Sequence, residues 1–377
     1  MKILHLNAYY IDNHLYSQLY TTLDADLEQR VYIPIKTDRK PENMVELSQG
    51  ELIFDKVIKP NHKYNYFRKI KEVTNALTQK KVHQNIDFIH AHNLFTDGVV
   101  AHSLKKRFGL KYIVAVRTTD IALQYKYMYH RRFKAKKVLE NAEQIIFISP
   151  TYRDKLFQMM SGAFISRISP KVKIMPNGIN DHWLENLQKP SGKLLDKKVN
   201  LLYVGQIMQR KNVLPLIQAL QKLNETTDKE YHLTVVGGEN QYEKEFYSTF
   251  LNTIKPYDWV DYKGKIKDKE KLLQEYRQAD IFAMPAKGEL FGLVYIEALS
   301  QGKPVLYAKG EGIDGFLEGK NVGVSVNPDH LDEISDGITQ IVNKYETYKD
   351  FTQVVKPFNW NSIADLYKTM YQPNEQD

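Results

Sequence analysis

The chain of 377 residues contains no cysteine. Disulfides, thiol nucleophiles and cysteine-held metals are therefore excluded, and a reducing compartment suits the sequence. There is no run of eighteen or more apolar residues, so no transmembrane helix is expected. The opening Met1-Lys2-Ile3-Leu4-His5-Leu6-Asn7 turns polar too soon for a signal peptide and reads as a first strand. Together these features predict a cytoplasmic protein.

At this length the chain suits two domains rather than one core. Lys189-Pro190-Ser191-Gly192-Lys193 reads as the linker, placing one domain over 1–188 and the other over 189–357. Charge divides along nearly the same line. Residues 1–190 hold 30 Lys and Arg against 18 Asp and Glu, and the remainder 23 against 27, giving net charges of +12 and −4. Only the first half is thus expected to meet an anionic partner. Two basic-aromatic stretches stand out there: residues 59–71, leading into a helix, and 125–138, expected to be helical throughout. Tyrosine beside lysine suits an anionic membrane surface, the inner face of the cell membrane for a cytoplasmic protein. The alternative is a solvated basic face over a buried stripe. No nucleic-acid-binding module accompanies the charge, so nucleic acid is not an expected partner.

Apolar runs alternate with amphipathic stretches in both halves, which predicts an α/β fold of parallel sheets covered by helices. In the first half, strands are expected near 3–7, 29–35, 87–92, 111–116 and 144–149. The loop after the first strand, Asn7-Ala8-Tyr9-Tyr10-Ile11-Asp12-Asn13, has no glycine to cradle a phosphate. His90 and His92 are expected to alternate about a strand end, so that only one of them faces the cleft. Their spacing assembles no metal triad, and no metal is expected. Arg117-Thr118-Thr119-Asp120 follows the next strand. An arginine beside hydroxyls suits a ligand phosphate or carboxylate; pairing of Arg117 with Asp120 is the other reading.

The second half restarts with a strand from Val199, and the loop 205–212 then opens a helix. Lys211 near that helix start opposes the helix dipole, a cost that a bound phosphate would relieve. Leu233 to Glu239 ends a strand on Gly237-Gly238, where a ligand or backbone can approach closely, but without the dinucleotide fingerprint. The most informative stretch runs from Pro285 to Val305. Strands are expected at 281–285 and 304–308, with a short helix from Phe291 to Gln301 and Gly302 at its C-terminal cap. Glu289 then sits at the rim of a parallel sheet, beside N–H groups at Gly292 and Leu293 that suit a phosphate. Glu297 is expected about two turns into the helix, placed for another part of an extended ligand. A nucleotide sugar, with phosphates between two hydroxyl-bearing ends, has that layout.

Read as P-x-x-x-E-x-F-G-L-x-x-x-E-A-x-x-x-G-x-P-V, residues 285–305 resemble the donor-site signature of retaining glycosyltransferases of family 4. Pro176-Asn177-Gly178-Ile179-Asn180 resembles the family's P-N-G-[IV]-D turn. Gly205 and Lys211 match the spacing of its G-R-x-x-x-x-K pattern, with Gln206 in place of the arginine and Arg210 able to supply the charge. Arg117 and Thr118 stand where family members often show His-Gly, while Asp120 matches. The likeness covers nearly the whole chain and is strongest over 199–326.

This resemblance implies a GT-B fold: two Rossmann-like domains, a deep interdomain cleft and a closing helix within 358–377 that crosses back to the first domain. It implies metal-independent, retaining transfer from a nucleotide-diphosphate sugar, most simply a UDP-sugar, to a glycan or lipid-linked acceptor of cell-envelope or capsular polysaccharide. The donor is a substrate, and no cofactor is implied. Glu289, Lys211 and Asp120 are the implied catalytic residues. Donor contacts are expected from Gly205, Gln206, Arg210, Lys211, Gly237, Lys265, Ile266, Glu289, Phe291, Gly292, Leu293 and Glu297, with Glu289 holding sugar hydroxyls and Glu297 the ribose. Asn7, Tyr9, His92, Arg117 and Thr118 are expected on the acceptor side. A GT-B-fold nucleotide-sugar epimerase, a sugar phosphorylase and a non-enzymatic basic polymer-binding module remain as alternatives.

Overall fold

The computed structural model describes residues 1–11 and 15–372. The end of the first loop, with Asp12 and Asn13, and positions 373–377 of the closing segment lie outside the described residues. The chain divides into two compact units, Met1–Asn177 with Trp360–Asp377, and Gly178–Asn359.

The first unit is built on β1 (Lys2–Leu6), β2 (Glu28–Lys36), β3 (Gly50–Ile58), β4 (Phe88–Ala91), β5 (Tyr112–Val116), β6 (Gln144–Phe147) and β7 (Val172–Ile174). These form a parallel sheet in the order β3-β2-β1-β4-β5-β6-β7. The second unit has β8 (Lys198–Val204), β9 (Glu230–Val236), β10 (Val260–Gly264), β11 (Ile281–Met284), β12 (Val305–Ala308) and β13 (Gly323–Val326), ordered β10-β9-β8-β11-β12-β13. In both, the chain winds outward from the first strand and then crosses to its other side. The crevice left at that reversal, between β1 and β4 and between β8 and β11, is where doubly wound sheets bind ligands.

Inner strands are predominantly apolar, because helices cover both faces: every residue of β4, β5, β11 and β12 is buried, His90 of β4 included. The expected helix over 125–138 is broken instead. A π-helical turn spans Asp120–Tyr125, Met128 caps the next helix, and that helix runs Tyr129–Asn141. Arg132 holds the break, donating from Nε to the Tyr125 carbonyl at 2.7 Å and from Nη2 to that of Lys126 at 3.2 Å.

The closing helix Trp360–Tyr371 packs into the first unit's core beside Ile3, Leu19, Tyr20 and Leu23. Trp360 Nε1–H donates to Gln18 Oε1 at 2.9 Å. The buried stripe is Ile363, Ala364, Tyr367, Met370 and Tyr371, whereas Leu366 is 48% exposed. Leu366 directly precedes Tyr367, and a single residue step turns it about 100° away from the stripe. Since Ile363 is fully buried, Ile363→Ala should lower the unfolding free energy by about 2–5 kcal/mol in a denaturant titration.

Candidate active site

Two loops meet at the reversal point of the second sheet, 205–212 after β8 and 285–292 after β11. The floor is set by glycine. A Cβ on Gly237 would lie 1.8 Å from the Gly205 carbonyl oxygen, so the ends of β8 and β9 close only without a side chain there. Gly205 N–H donates to the Val236 carbonyl at 2.9 Å and Gly237 N–H to that of Gly264 at 2.8 Å.

Backbone contacts stitch the loops together. Lys287 N–H donates to the Arg210 carbonyl at 2.7 Å, and Arg210 Nη1 donates to the Gly288 carbonyl at 3.2 Å. Asn212 takes a left-handed conformation at φ 55° and anchors its side-chain amide on the Pro328 carbonyl at 2.6 Å. That turn directs Lys211 to the Glu289 carboxylate, with which it forms an ion pair. The two side chains are only 13% and 11% exposed. Here lies the compensation that the helix-dipole argument missed: a carboxylate 78 positions away offsets the cation at the helix start.

Gly292, at φ +83°, opens the helix Leu293–Ser300; a Cβ there would lie 2.4 Å from the Tyr295 ring. The helix therefore starts two residues later than expected, and Glu297 lies one turn into it rather than two. Tyr276 Oη–H donates to Glu297 Oε2 at 3.1 Å. Burial pushes the Glu297 carboxyl up to about 7, with the tyrosine hydrogen bond acting in the opposite sense. Phe291 is buried against the rings of Phe316 and Phe358, at 5.6 and 5.7 Å, and so anchors the loop. Gln206, Arg210 and Lys265 are exposed, and Ile266 is partly buried. The string Gly310-Glu311-Gly312-Ile313-Asp314-Gly315 does spell a dinucleotide fingerprint. It follows β12 rather than the unit's first strand, and Gly312 is spent on backbone packing, since a Cβ there would meet the Leu290 carbonyl oxygen at 2.6 Å.

In the first unit the expected acceptor-side residues gather at that sheet's own reversal point. Asn7 is buried, donates to Tyr20 Oη at 2.8 Å and accepts the Tyr9 N–H at 3.1 Å. Ala8 N–H donates to the Asp97 carboxylate at 3.2 Å, and burial pushes that carboxyl well above the usual range. Asp120 Oδ2 accepts the backbone N–H groups of Leu94 at 3.0 Å and Arg117 at 2.9 Å. Burial raises the Asp120 carboxyl to about 6, while these amides pull it down. Arg117 turns its side chain elsewhere, donating from Nε to the His92 carbonyl at 3.0 Å, 5.6 Å above the Tyr16 ring. Thr118 is partly buried beside it.

His90 and His92 do not diverge. Residues two apart share one face of a strand, and their rings stack at 3.9 Å. His5 on β1 joins them, its Nδ1 lying 3.1 Å from His92 Nε2. Among the described residues this trio is the one group with metal-ligand spacing. The expected absence of a triad therefore fails in three dimensions, because the third histidine comes from a strand 85 residues earlier. Burial holds all three imidazoles below their usual pKa, with Arg117 adding to the effect at His90 and His92. That guanidinium also opposes a cation at the cluster.

Comparison with known proteins places this geometry. Residues 185–356 match the family described as "Glycosyl transferases group 1", and residues 24–183 match "Glycosyltransferase Family 4". The chain belongs to glycosyltransferase family 4. Among its relatives is an uncharacterised glycosyltransferase of Methanocaldococcus jannaschii, 22% identical over 82% of this chain and 84% of the relative. Of solved structures, the sucrose-phosphate synthase of Thermosynechococcus elongatus superposes with a TM-score of 0.73 at 21% identity, covering 98% of each chain. An Anabaena protein in complex with UDP and glucose gives a TM-score of 0.62 at 16% identity, over 99% of this chain and 97% of that one. This family 4 glycosyltransferase thus has the GT-B fold of two Rossmann-like units.

Proposed function

We propose that this glycosyltransferase takes its sugar from a UDP-sugar and passes it, with retention, to a glycan or lipid-linked acceptor in cell-envelope or capsular polysaccharide synthesis. The carrying observation is the Lys211–Glu289 pair at the reversal point of the second sheet, beside the first N–H groups of the helix Leu293–Ser300. The UDP and glucose in the Anabaena relative of the fold support this choice of donor.

In this reading the anomeric C–O bond to the β-phosphate breaks while the acceptor hydroxyl oxygen bonds to the same face. Negative charge grows on the leaving diphosphate and is met by Lys211, Arg210 and the N–H groups at Gly292 and Leu293, so that no divalent metal is required. The leaving phosphate takes the acceptor proton, and no side chain serves as general base. Glu289 holds sugar hydroxyls and Glu297 the ribose. Asp120 acts by holding the loops at Leu94 and Arg117. The basic-aromatic surface of the first unit rests on an anionic membrane at the cytoplasmic face. A panel of nucleotide sugars, scored for thermal stabilisation and then for nucleotide release with acceptor, tests the assignment; release of UDP must exceed that of other nucleotides.

A pH dependence follows from Glu297. A carboxylate accepts ribose hydroxyls better than a carboxylic acid does. With its pKa at about 7, the ionised fraction grows about tenfold between pH 6 and 8. UDP-sugar affinity should rise by up to that factor over the range, and Glu297→Gln should flatten the profile in calorimetry. Sign matters for the unliganded fold as well. The folded pKa is raised, so stability falls as pH climbs from about 4.5 through 7, and Glu297→Gln removes that slope.

A further inference from the structure

The two basic-aromatic stretches, 59–71 and 125–138, converge in the first unit. The turn Pro60–Lys63 and the helix Tyr66–Gln79 meet Met128 and the start of the helix Tyr129–Asn141. With the ends of β2 and β3 they enclose a cavity of about 480 Å³, a size typical of small-molecule sites. Lys36, Lys59, Lys63, Lys69 and Arg131 line it against a single carboxylate, Asp38.

Most of that charge is uncompensated. Lys59 pairs with Glu72 at 2.8 Å, but among the described residues Lys36, Lys63, Lys69 and Arg131 have no carboxylate at ion-pair distance. Arg131 lies 4.1 Å above the Tyr66 ring and donates from Nη1 to Gln124 Oε1 at 2.9 Å. Lys69 donates to Thr96 Oγ1 at 2.9 Å. Burial lowers the Lys69 pKa, the nearby Asp97 carboxyl opposes this and Arg131 adds to it, so an anion in the cavity would favour the charged form of Lys69.

Location indicates which substrate this charge serves. Thr96 is followed by Asp97, whose carboxylate accepts the Ala8 N–H of the loop carrying Asn7 and Tyr9. The cavity thus borders the loops assigned above to the acceptor. Exposed aromatic side chains flank it: Tyr64, Phe67, Tyr127 and Tyr129.

We infer that this cavity binds the phosphate or diphosphate group of the acceptor. The inference rests on the proposed division of donor and acceptor between the units. Sugar phosphates and lipid-linked sugar diphosphates share the recognised chemistry, with the aromatic flank suited to the lipid form.

The test uses the full chain and inorganic pyrophosphate in calorimetry. A Lys211→Ala background strongly weakens binding at the donor loops. Adding Lys63→Gln and Arg131→Gln should weaken pyrophosphate at least tenfold, and Lys36→Gln alone should weaken it measurably, with unchanged thermal melting in each. Equal pyrophosphate affinity in all of these overturns the inference, as does the absence of pyrophosphate binding from the Lys211→Ala protein. UDP titrated into the Lys63→Gln/Arg131→Gln protein, with Lys211 intact, should bind as in the parent; loss of UDP binding there would place the cavity residues in the donor site and also overturn it. Failure of UDP to bind the parent would instead sink the donor reading and leave the pyrophosphate result standing. Neutral vesicles with and without polyprenyl diphosphate then separate the sources. Diphosphate-dependent sedimentation that Tyr64→Ser/Phe67→Ser abolishes supports a lipid-linked acceptor, and its absence alongside pyrophosphate binding supports a soluble one.

Discussion

Lys211→Ala is expected to weaken UDP binding about 100-fold. A hydrogen bond to a charged group contributes about 1.5–3 kcal/mol, and the variant loses more than that bond. Glu289, nearly buried and paired with the ammonium in the parent, would lose that cation and keep its carboxylate beside the incoming diphosphate. Like charges at that range in a partly buried site repel. The combined loss should approach the upper end of the range, about 3 kcal/mol, or two powers of ten. A double variant separates the two contributions. If repulsion matters, Lys211→Ala/Glu289→Gln binds UDP more tightly than Lys211→Ala alone, so the cycle is non-additive. Calorimetry on parent, both single variants and the double variant decides it, with melting curves to check the fold. Parental UDP affinity in Lys211→Ala would remove this residue from the donor site.

The pair also shows where sequence reasoning stops. Lys211 was legible as an anomaly, a cation at a helix start, and Glu289 as an acid on a sheet rim. Nothing local to either reveals that they meet, because the contact arises from β8 and β11 lying side by side across the reversal of strand order. The alternation of apolar runs made both sheets legible, and the central strands most of all, since β5, β11 and β12 are continuously apolar. The edge strand β3 escaped notice. Only Asp55 of its nine residues is buried, so it has neither a core run nor a clean alternation. The π-helical turn at Asp120–Tyr125 escaped because the Arg132 side chain reaching back to two carbonyls at its end leaves no mark on the apolar periodicity. His5 was visible only as a residue of the first strand. Its approach to His90 and His92 follows from the register of β1 beside β4, where His5 lies opposite His90.

Glu289→Gln and Glu297→Gln should fail in different ways. Glu289 sits on the loop before the helix, its backbone carbonyl accepting the Gly312 N–H at 3.2 Å and its side chain on Lys211. It therefore acts twice in the proposed reaction, on the sugar hydroxyls and on the cation that meets the leaving phosphate. Both contacts gain strength as the anomeric bond lengthens and charge moves to the diphosphate, so their loss falls on kcat. A fall of about 100-fold is expected, the lower range for removing one preorganised electrostatic contact. Glu297 lies one turn into the helix, held by Tyr276 and away from the breaking bond. The proposed contact with the ribose is equally strong before and during transfer, so Glu297→Gln should raise KM about tenfold with kcat nearly unchanged. Steady-state kinetics on both variants, with UDP affinity measured separately, reads the division. Normal turnover in Glu289→Gln would mean that sugar transfer does not occur at this loop, whereas a kcat loss in Glu297→Gln matching its KM change would put both carboxylates on the reacting sugar.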